Sequence, residues 1–477
     1  MNYYIIFVAS ILVQTSLFCD VRKPQPLIID DFSRLNATRV AGIIEPTNET
    51  ELASILENAR ARHQKISVSG VRHSQGGQAF YKNALVVSLA KLNKVLSLEG
   101  NLLTIQAGIT WKEIQDYLNP LDKAVKIMQF ANLFTVGGSL SVNANGIDPH
   151  VGPLIESVRS LKIMKADGSI VQTSRTENSE LFFLAIGGYG LFGIIIEATI
   201  EVVTNHIYKK QVKKLSLEAY CKELPTLFKK PEICFHIGQV DLNPWGDHFF
   251  SGIRSMTYAK IDAYTLSEKE LSQLKKQKRE RFVAVKRVMQ GALRNLPFSR
   301  YFQRDIDFIA EGDMVSRNTL MSPHVLHLQD TSTEETQLLQ EYFIPIDKVL
   351  PFLTKCDLIS QMYSITILSI HIRCIPKNTE SFLSYAQDDC CGIIIFFTHT
   401  MASEDRRAVE RWTKSLIDIA IKLKGRYYLP AQLHATTKQL QKMYPQINEF
   451  FEAKRKYDPE ELFINHLYKK YAKENKY

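Results

Sequence analysis

The chain has 477 residues, 45% hydrophobic and 23% charged, with 59 Lys and Arg against 50 Asp and Glu. At about 150 residues per domain this is a folded protein of two or three domains, which excludes disordered, collagen-like and coiled-coil chains. A net charge of +9 over this length suits an anionic surface, substrate or phosphate-bearing cofactor and falls short of a nucleic-acid footprint.

Residues Tyr3 to Phe18 are almost all apolar, and Asp20, Arg22, Lys23 and Pro24 follow. The run is short for a membrane span and long enough for a signal h-region. Residues 1–24 are therefore read as a signal peptide or N-terminal membrane anchor, and the protein as exported: periplasmic, extracytoplasmic or held at a membrane. One of the seven cysteines, Cys19, lies there; the other six are open to disulfide pairing or to service as buried thiols. Neither they nor the twelve histidines show metal-ligand spacing, so no metal site is expected.

Between residues 34 and 206 the pattern is dense. Val40 to Pro46 reads as a short strand, and Asn48 with Glu51 forms a capping box before a helix whose apolar face is Leu52, Ile55, Leu56 and Ala59. Ile66 to Gly70 is a strand running into a polar loop, and Leu85 to Leu89 and Leu102 to Ala107 are strands. Thr110 and Glu113 cap a second helix, and Asp167-Gly168 joins a hairpin. Residues 207–425 form a second domain, with lysines crowding its start, strands at Thr366 to Ile375 and Ile393 to Thr398, and a helix from Glu404 to Lys424 that Gly425 ends as a C-cap. The basic run Lys275 to Arg287 reads as a helix with a solvated face or a site for anionic lipid. Residues 426–477 form a helix-and-turn tail.

Gly188-Tyr189-Gly190-Leu191-Phe192-Gly193 spells a dinucleotide fingerprint in the wrong setting, with a helix before it and a strand after, so a Rossmann site is rejected. Two other segments fit phosphate better. In Ser69-Gly70-Val71-Arg72-His73-Ser74-Gln75-Gly76-Gly77, three glycines and two serines after a strand present main-chain N–H groups to an anion. Thr135-Val136-Gly137-Gly138-Ser139-Leu140-Ser141-Val142-Asn143-Ala144-Asn145-Gly146 reads as a second small, Gly-rich loop. Together they can enclose a diphosphate.

On both loops, their separation and the flanking strands, residues from Arg39 to Val203 resemble the FAD-binding domain of the vanillyl-alcohol oxidase and p-cresol methylhydroxylase flavoproteins. The resemblance resumes in the tail at Met443-Tyr444-Pro445 and Lys456-Tyr457-Asp458-Pro459. It implies an α+β fold: a two-subdomain FAD-binding domain of the p-cresol methylhydroxylase type, an α+β substrate (cap) domain, and a tail packing back near the flavin. The loop wording resembles alditol and aldonolactone oxidases, in which the histidine matching His73 bonds covalently to FAD. Gly187 to Ile194 looks closer to decaprenylphosphoryl-ribose oxidase. The implied cofactor-binding set is Ser69, Gly70, Val71, Arg72, His73, Ser74, Gly77, Thr135, Gly137, Gly138, Ser141, Asn145, Gly146, Gly193, Ile194 and Asn465.

On the substrate side, His371 and Arg373 share one face of a strand. In alditol and aldonolactone oxidases the matching strand carries a glutamate and an arginine; here His371 replaces the glutamate, and an imidazole there can serve as base. Tyr428 matches a tyrosine of the ribose-oxidase branch, while Ala431 lies near that branch's catalytic lysine. The resemblance thus implies oxidation of a CH–OH group of an alditol, aldose or aldonolactone by hydride transfer to flavin, with oxygen or a quinone as electron acceptor and no nucleic-acid partner. Two alternatives stand beside it: a membrane-associated oxidase of a polyprenyl-phosphate-linked sugar, and a flavin-binding module without oxidase activity.

Overall fold

The computed structural model describes residues 27–243, 249–262, 266–275, 313–322 and 334–472. Residues 1–24 and most of the basic run after Lys275 lie outside them.

The first half builds three sheets, the smallest of which pairs Leu27–Ile29 with Thr38–Val40. Gly42–Ile44, Leu85–Ser88 and Ile66–Ser69 form a parallel sheet with Leu85–Ser88 in the middle. Ile170–Ser174, Val158–Met164, Ile194–Thr204, Leu102–Gln106 and Val95–Glu99 pair antiparallel in that order, and Lys123–Val125 joins Ile194–Thr204. The local signals explain much of this. Thr110 and Glu113 exchange both bonds of a capping box at helix Trp111–Leu118. Gly168 takes the left-handed conformation (φ 82°) that the Asp167-Gly168 hairpin requires.

Four expectations are corrected. The segment Val40 to Pro46 is two strands, Thr38–Val40 and Gly42–Ile44, which enter different sheets. At helix Glu49–Ala61, Asn48 accepts the Glu51 N–H, but the Glu51 carboxylate turns to the Thr47 N–H, so the box closes one residue early. The second Gly-rich segment holds a short helix, Val136–Ser141, capped by Thr135. Helix Ser403–Lys422 ends at Leu423, with Lys424 left-handed (φ 61°). Gly425 is there because a Cβ would sit 2.7 Å from the Phe343 carbonyl oxygen.

The second half is one antiparallel sheet of eight strands, in the order Met314–Ser316, Ile207–Leu215, Phe250–Lys260, Ile233–Leu242, Thr366–Ile375, Cys390–Thr400, Glu335–Pro345 and Arg426–Tyr427. Its last strand comes from the tail, which opens as part of this sheet. The sheet has two unlike faces. Gly238, Ile372, Ile393 and Tyr342 lie on the face covered by helices: a Cβ on Gly238 would strike Tyr220 of helix Leu217–Leu227, and Tyr342 packs on Phe352 of helix Val349–Met362. The opposite face looks at the first half of the chain.

The tail returns to the first half. Ile66 N–H donates to the Leu462 carbonyl, Ile464 N–H donates to the Ile66 carbonyl, and Ser67 Oγ donates to the Ile464 carbonyl. A buried ion pair fixes the turn that makes this possible. Lys454 and Asp458 are 0% and 1% exposed and 2.8 Å apart, and the Asp458 carboxylate also accepts the Leu462 and Phe463 N–H groups. Burial pushes the Lys454 pKa down and Asp458 opposes it. Removing one partner of such a pair strands the other, so Lys454→Met is expected to lower the unfolding free energy by about 3 kcal/mol in urea titrations.

Candidate active site

The Ser69–Gly77 bend follows the edge of the parallel sheet, and its hydrogen bonds divide sharply. Gln75 N–H donates to the Pro430 carbonyl, Gly76 N–H to Gln78 Oε1 and Gly77 N–H to Asp31 Oδ2. Among the described residues, the N–H groups of Gly70, Val71, Arg72, His73 and Ser74 donate to nothing. Such a run of free donors, with Arg72 at φ 55° turning the chain, is what a diphosphate requires.

The two Gly-rich segments touch. An ideal Cβ on Gly70 would lie 2.2 Å from Thr135 Oγ1, so only glycine permits this approach. The second segment differs from expectation in one respect. The N–H groups of Val136, Gly137, Gly138 and Ser139 are taken by Ile109 O, Ala107 O, Thr135 Oγ1 and Thr135 O, and Ser141 Oγ donates to Gly137 O. It offers shape rather than amide donors at those positions. Asn145 and Gly146, further along, keep theirs free among the described residues.

His73 stands between the segments, stacked on Phe32 at 5.3 Å and edge-on to Phe134 at 4.8 Å. Its Nδ1 is buried without a well-formed hydrogen bond, and burial lowers its pKa against the opposing effect of the Val71 backbone, which favours the neutral ring. An orphaned neutral imidazole nitrogen fits a covalent flavin bond.

Around the bend, support comes from distant segments. The Asp31 carboxyl, pushed up to about 6 by burial, holds Gly77 together with Ser33 and Asn36. Gln78 Nε2 donates to the Leu429 and Ala431 carbonyls, so the residue near the expected lysine position anchors the loop instead. His466 fills the space that a Cβ on Gly77 would need. Asn465 Nδ2 donates to Tyr189 O, and Tyr189 N–H to Ser141 O, which joins the tail and the 187–190 turn to the second segment. Gly193 and Ile194 are taken into the six-stranded sheet against Ile163 and Met164.

The open face of the large sheet completes the site. Cross-strand partners share a face, so Glu341, Ile394 and His371 form one row and Phe343, Gly392 and Arg373 the next. Asn145 Nδ2 donates to Glu341 Oε1 at 3.2 Å, Gln75 Oε1 accepts the Leu339 N–H, and the Arg373 guanidinium lies 5.5 Å over the Phe130 ring. Each contact ties this face to the first half of the chain. Tyr428 donates to the Val142 carbonyl and Tyr385 to that of Asn143, which commits both hydroxyls to positioning the second segment.

Arg373 is half-buried, and burial lowers its pKa against the opposing effect of Glu341, yet its guanidinium makes no hydrogen bond or ion pair among the described residues. Glu341, 4% exposed, is pushed up by burial and held down in part by Arg373 and Asn145. Glu341 was missed in the sequence. Its signal was a single carboxylate inside the apolar stretch Leu338 to Ile344, and Gly392 makes room for it, since a Cβ there would lie 2.5 Å from Glu341 Oε1. The strand that lost a glutamate at His371 thus has one from two strands away.

Comparison with known proteins gives two family matches. The FAD binding domain family matches residues 40–174, and the D-arabinono-1,4-lactone oxidase family matches residues 308–475. The mitochondrial L-galactono-1,4-lactone dehydrogenase of Arabidopsis thaliana is 26% identical over 182 residues, 37% of this chain and 29% of that protein. The L-gulonolactone oxidase of Mus musculus is 26% identical over 190 residues, 39% of this chain and 43% of its own. Cytokinin dehydrogenase 2 of Arabidopsis thaliana is 29% identical over 189 residues, 38% and 36% respectively. The chain spans less than half the length of each of these curated relatives. The cofactor is FAD.

The contact between the bends makes a sharp test. Gly70→Ala is expected to cost about 1–3 kcal/mol by overpacking against Thr135 and to lower the ratio of flavin to protein absorbance after purification. Adding Thr135→Ala should restore much of the flavin, at a helix-cap cost of about 1 kcal/mol.

Proposed function

We propose that the chain is an FAD-linked oxidase of the vanillyl-alcohol oxidase and p-cresol methylhydroxylase type that oxidises a CH–OH group of a sugar-like substrate, an aldonolactone above all. Bound FAD supplies the hydride acceptor. The amides of Gly70 to Ser74 hold the diphosphate, with Arg72 and the Asn145–Gly146 N–H groups nearby, and His73 Nδ1 is the atom for a covalent link. His371 takes the hydroxyl proton. Arg373 holds a substrate oxygen or balances negative charge developing beside it, and Glu341 steadies Arg373 across the sheet.

One observation carries the reading. A half-buried guanidinium without a protein acceptor among the described residues sits on the sheet face that meets the FAD-binding domain, beside a histidine and a carboxylate. Withdrawing a cation from bulk water without a protein acceptor is costly, and a substrate oxygen or a developing negative charge on this face would offset that cost. This favours an oxidase over a flavin module without chemistry.

The same proposal extends to place and acceptor. Export or anchoring through residues 1–24 rests on the apolar run Tyr3 to Phe18. Docking at a membrane surface rests on that run and the basic stretch after Lys275. No helix among the described residues is long and apolar enough to cross a membrane. Oxygen or a quinone would take the electrons onward.

Two measurements test the function. Acid precipitation should leave flavin attached to the protein, and His73→Ala should release it to the supernatant. Under anaerobic conditions D-arabinono-1,4-lactone should bleach the yellow protein, and His371→Asn should slow that reduction by about 10²-fold or more. Colour that no lactone or polyol bleaches would favour the module.

A further inference from the structure

One polar side chain on the same wall has no role in the reading above. Gln239, in strand Ile233–Leu242, is 0% exposed, and both Nε2 and Oε1 lack any hydrogen-bond partner. Buried amides almost always find partners, so a carboxamide wholly unsatisfied marks a place where a ligand supplies them.

Its direction follows from the register. Gln239 is the cross-strand partner of His371, which extends the row Glu341, Ile394, His371 by one strand. Its neighbour Gly238 faces Tyr220 on the helix side, so Gln239 faces the FAD-binding domain. Ile237, on the same face, packs with Ile147, and Phe130, which stacks on Arg373, borders that cluster. The amide is therefore enclosed between the sheet and the 127–147 segment, next to His371.

We propose that Gln239 is a substrate-positioning residue that binds a hydroxyl on the carbon next to the one oxidised. A carboxamide offers one acceptor and two donors. A hydroxyl can donate to Oε1 and accept from Nε2 at once, whereas an apolar substrate would leave both groups stranded. Directly opposed side chains in a sheet start about 5 Å apart, the separation that lets one group read a hydroxyl while its neighbour deprotonates the next. The assignment rests on the proposed oxidation of a sugar-like substrate and adds to it which side chain recognises the polyol.

The test compares wild-type holoenzyme with Gln239→Leu, which keeps the volume and removes the polar atoms. The probes are D-arabinono-1,4-lactone and its 2-deoxy and 3-deoxy analogues. Dissociation constants come from perturbation of the flavin spectrum, and reduction rates from anaerobic stopped flow. Gln239→Leu is expected to keep its flavin and to melt at or above the wild-type temperature, because an unsatisfied amide has gone. Its affinity for the parent lactone should fall about tenfold, the worth of one or two net hydrogen bonds. One deoxy analogue should bind wild type and variant alike.

Equal affinity of the two proteins for the parent lactone, or a lower melting temperature with no discrimination among analogues, overturns the role of Gln239 while leaving the oxidase reading intact. Spectral perturbation weakened in the variant, without reduction in either protein, supports the role of Gln239 and overturns the oxidase reading. Neither perturbation nor reduction in wild type overturns both.

Discussion

Everything in this protein turns on a bend that cannot hold itself together. The amides from Gly70 to Ser74 make no bonds to the protein among the described residues, so the bend forgoes the internal hydrogen bonds that stabilise ordinary turns. Its shape is imposed from outside. Asp31 holds Gly77, Pro430 and Gln78 fix its middle, His466 presses on Gly77, and Thr135 abuts Gly70. Apart from Gln78, which follows the bend directly, those residues come from the segment before the first helix, the tail and the second Gly-rich segment. The return of the tail is thus a structural requirement of this bend, and the Lys454–Asp458 pair fixes the turn that brings Leu462 to His466 back to it.

A second consequence concerns the large sheet. Alternation divides its side chains between a helix-covered face and a site face, and glycines appear where a large group must pass. Gly238 yields to Tyr220 on one side, and Gly392 yields to Glu341 on the other. A one-residue slip in register would send Glu341, His371 and Gln239 into the helix layer and bring Tyr342, Ile372 and Gly238 to the site. The apolar packing of Tyr342 on Phe352 and the seat of Tyr220 at Gly238 prevent that slip. The chemistry of one face is secured by the packing of the other.

This also explains what could be read from the chain alone. The caps at Thr110 and Asn48, the Asp167-Gly168 turn and the strand Thr366–Ile375 were legible because the signals sit within a few residues of their effect. The bend at Ser69 to Gly77 was legible for the same reason. The strand Ile207–Leu215 was not: its lysines point to solvent from a strand near the sheet edge, so it reads as a charged stretch. Helix Val136–Ser141 was hidden because each glycine costs a helix about 1 kcal/mol, and the contact of Gly137 with Ala107 that offsets this is not local. Glu341 was hidden for a similar reason. A carboxylate in an apolar strand makes sense only beside Asn145 and Arg373, which are far off in sequence.

The charge balance of the site follows from the same geometry. Arg373 is a half-buried cation that feels the charge of Glu341 from across the sheet without a direct ion pair among the described residues. A fully paired arrangement would be comfortable and inert, because a neutralised guanidinium has little field left to offer. Held apart, the two groups keep their donors and acceptors directed into the space between the sheet and the FAD-binding domain. Gln239 and Asn145 Oδ1, both buried and unpartnered, extend that pattern along the same wall. The fold bears the cost of leaving these groups unsatisfied through its extensive apolar core, and recovers it when an oxygen-rich ligand supplies the missing partners. The site face thus gathers Gln239, Asn145 Oδ1 and the guanidinium of Arg373 around one space, which is what the proposed recognition of an oxygen-rich substrate requires.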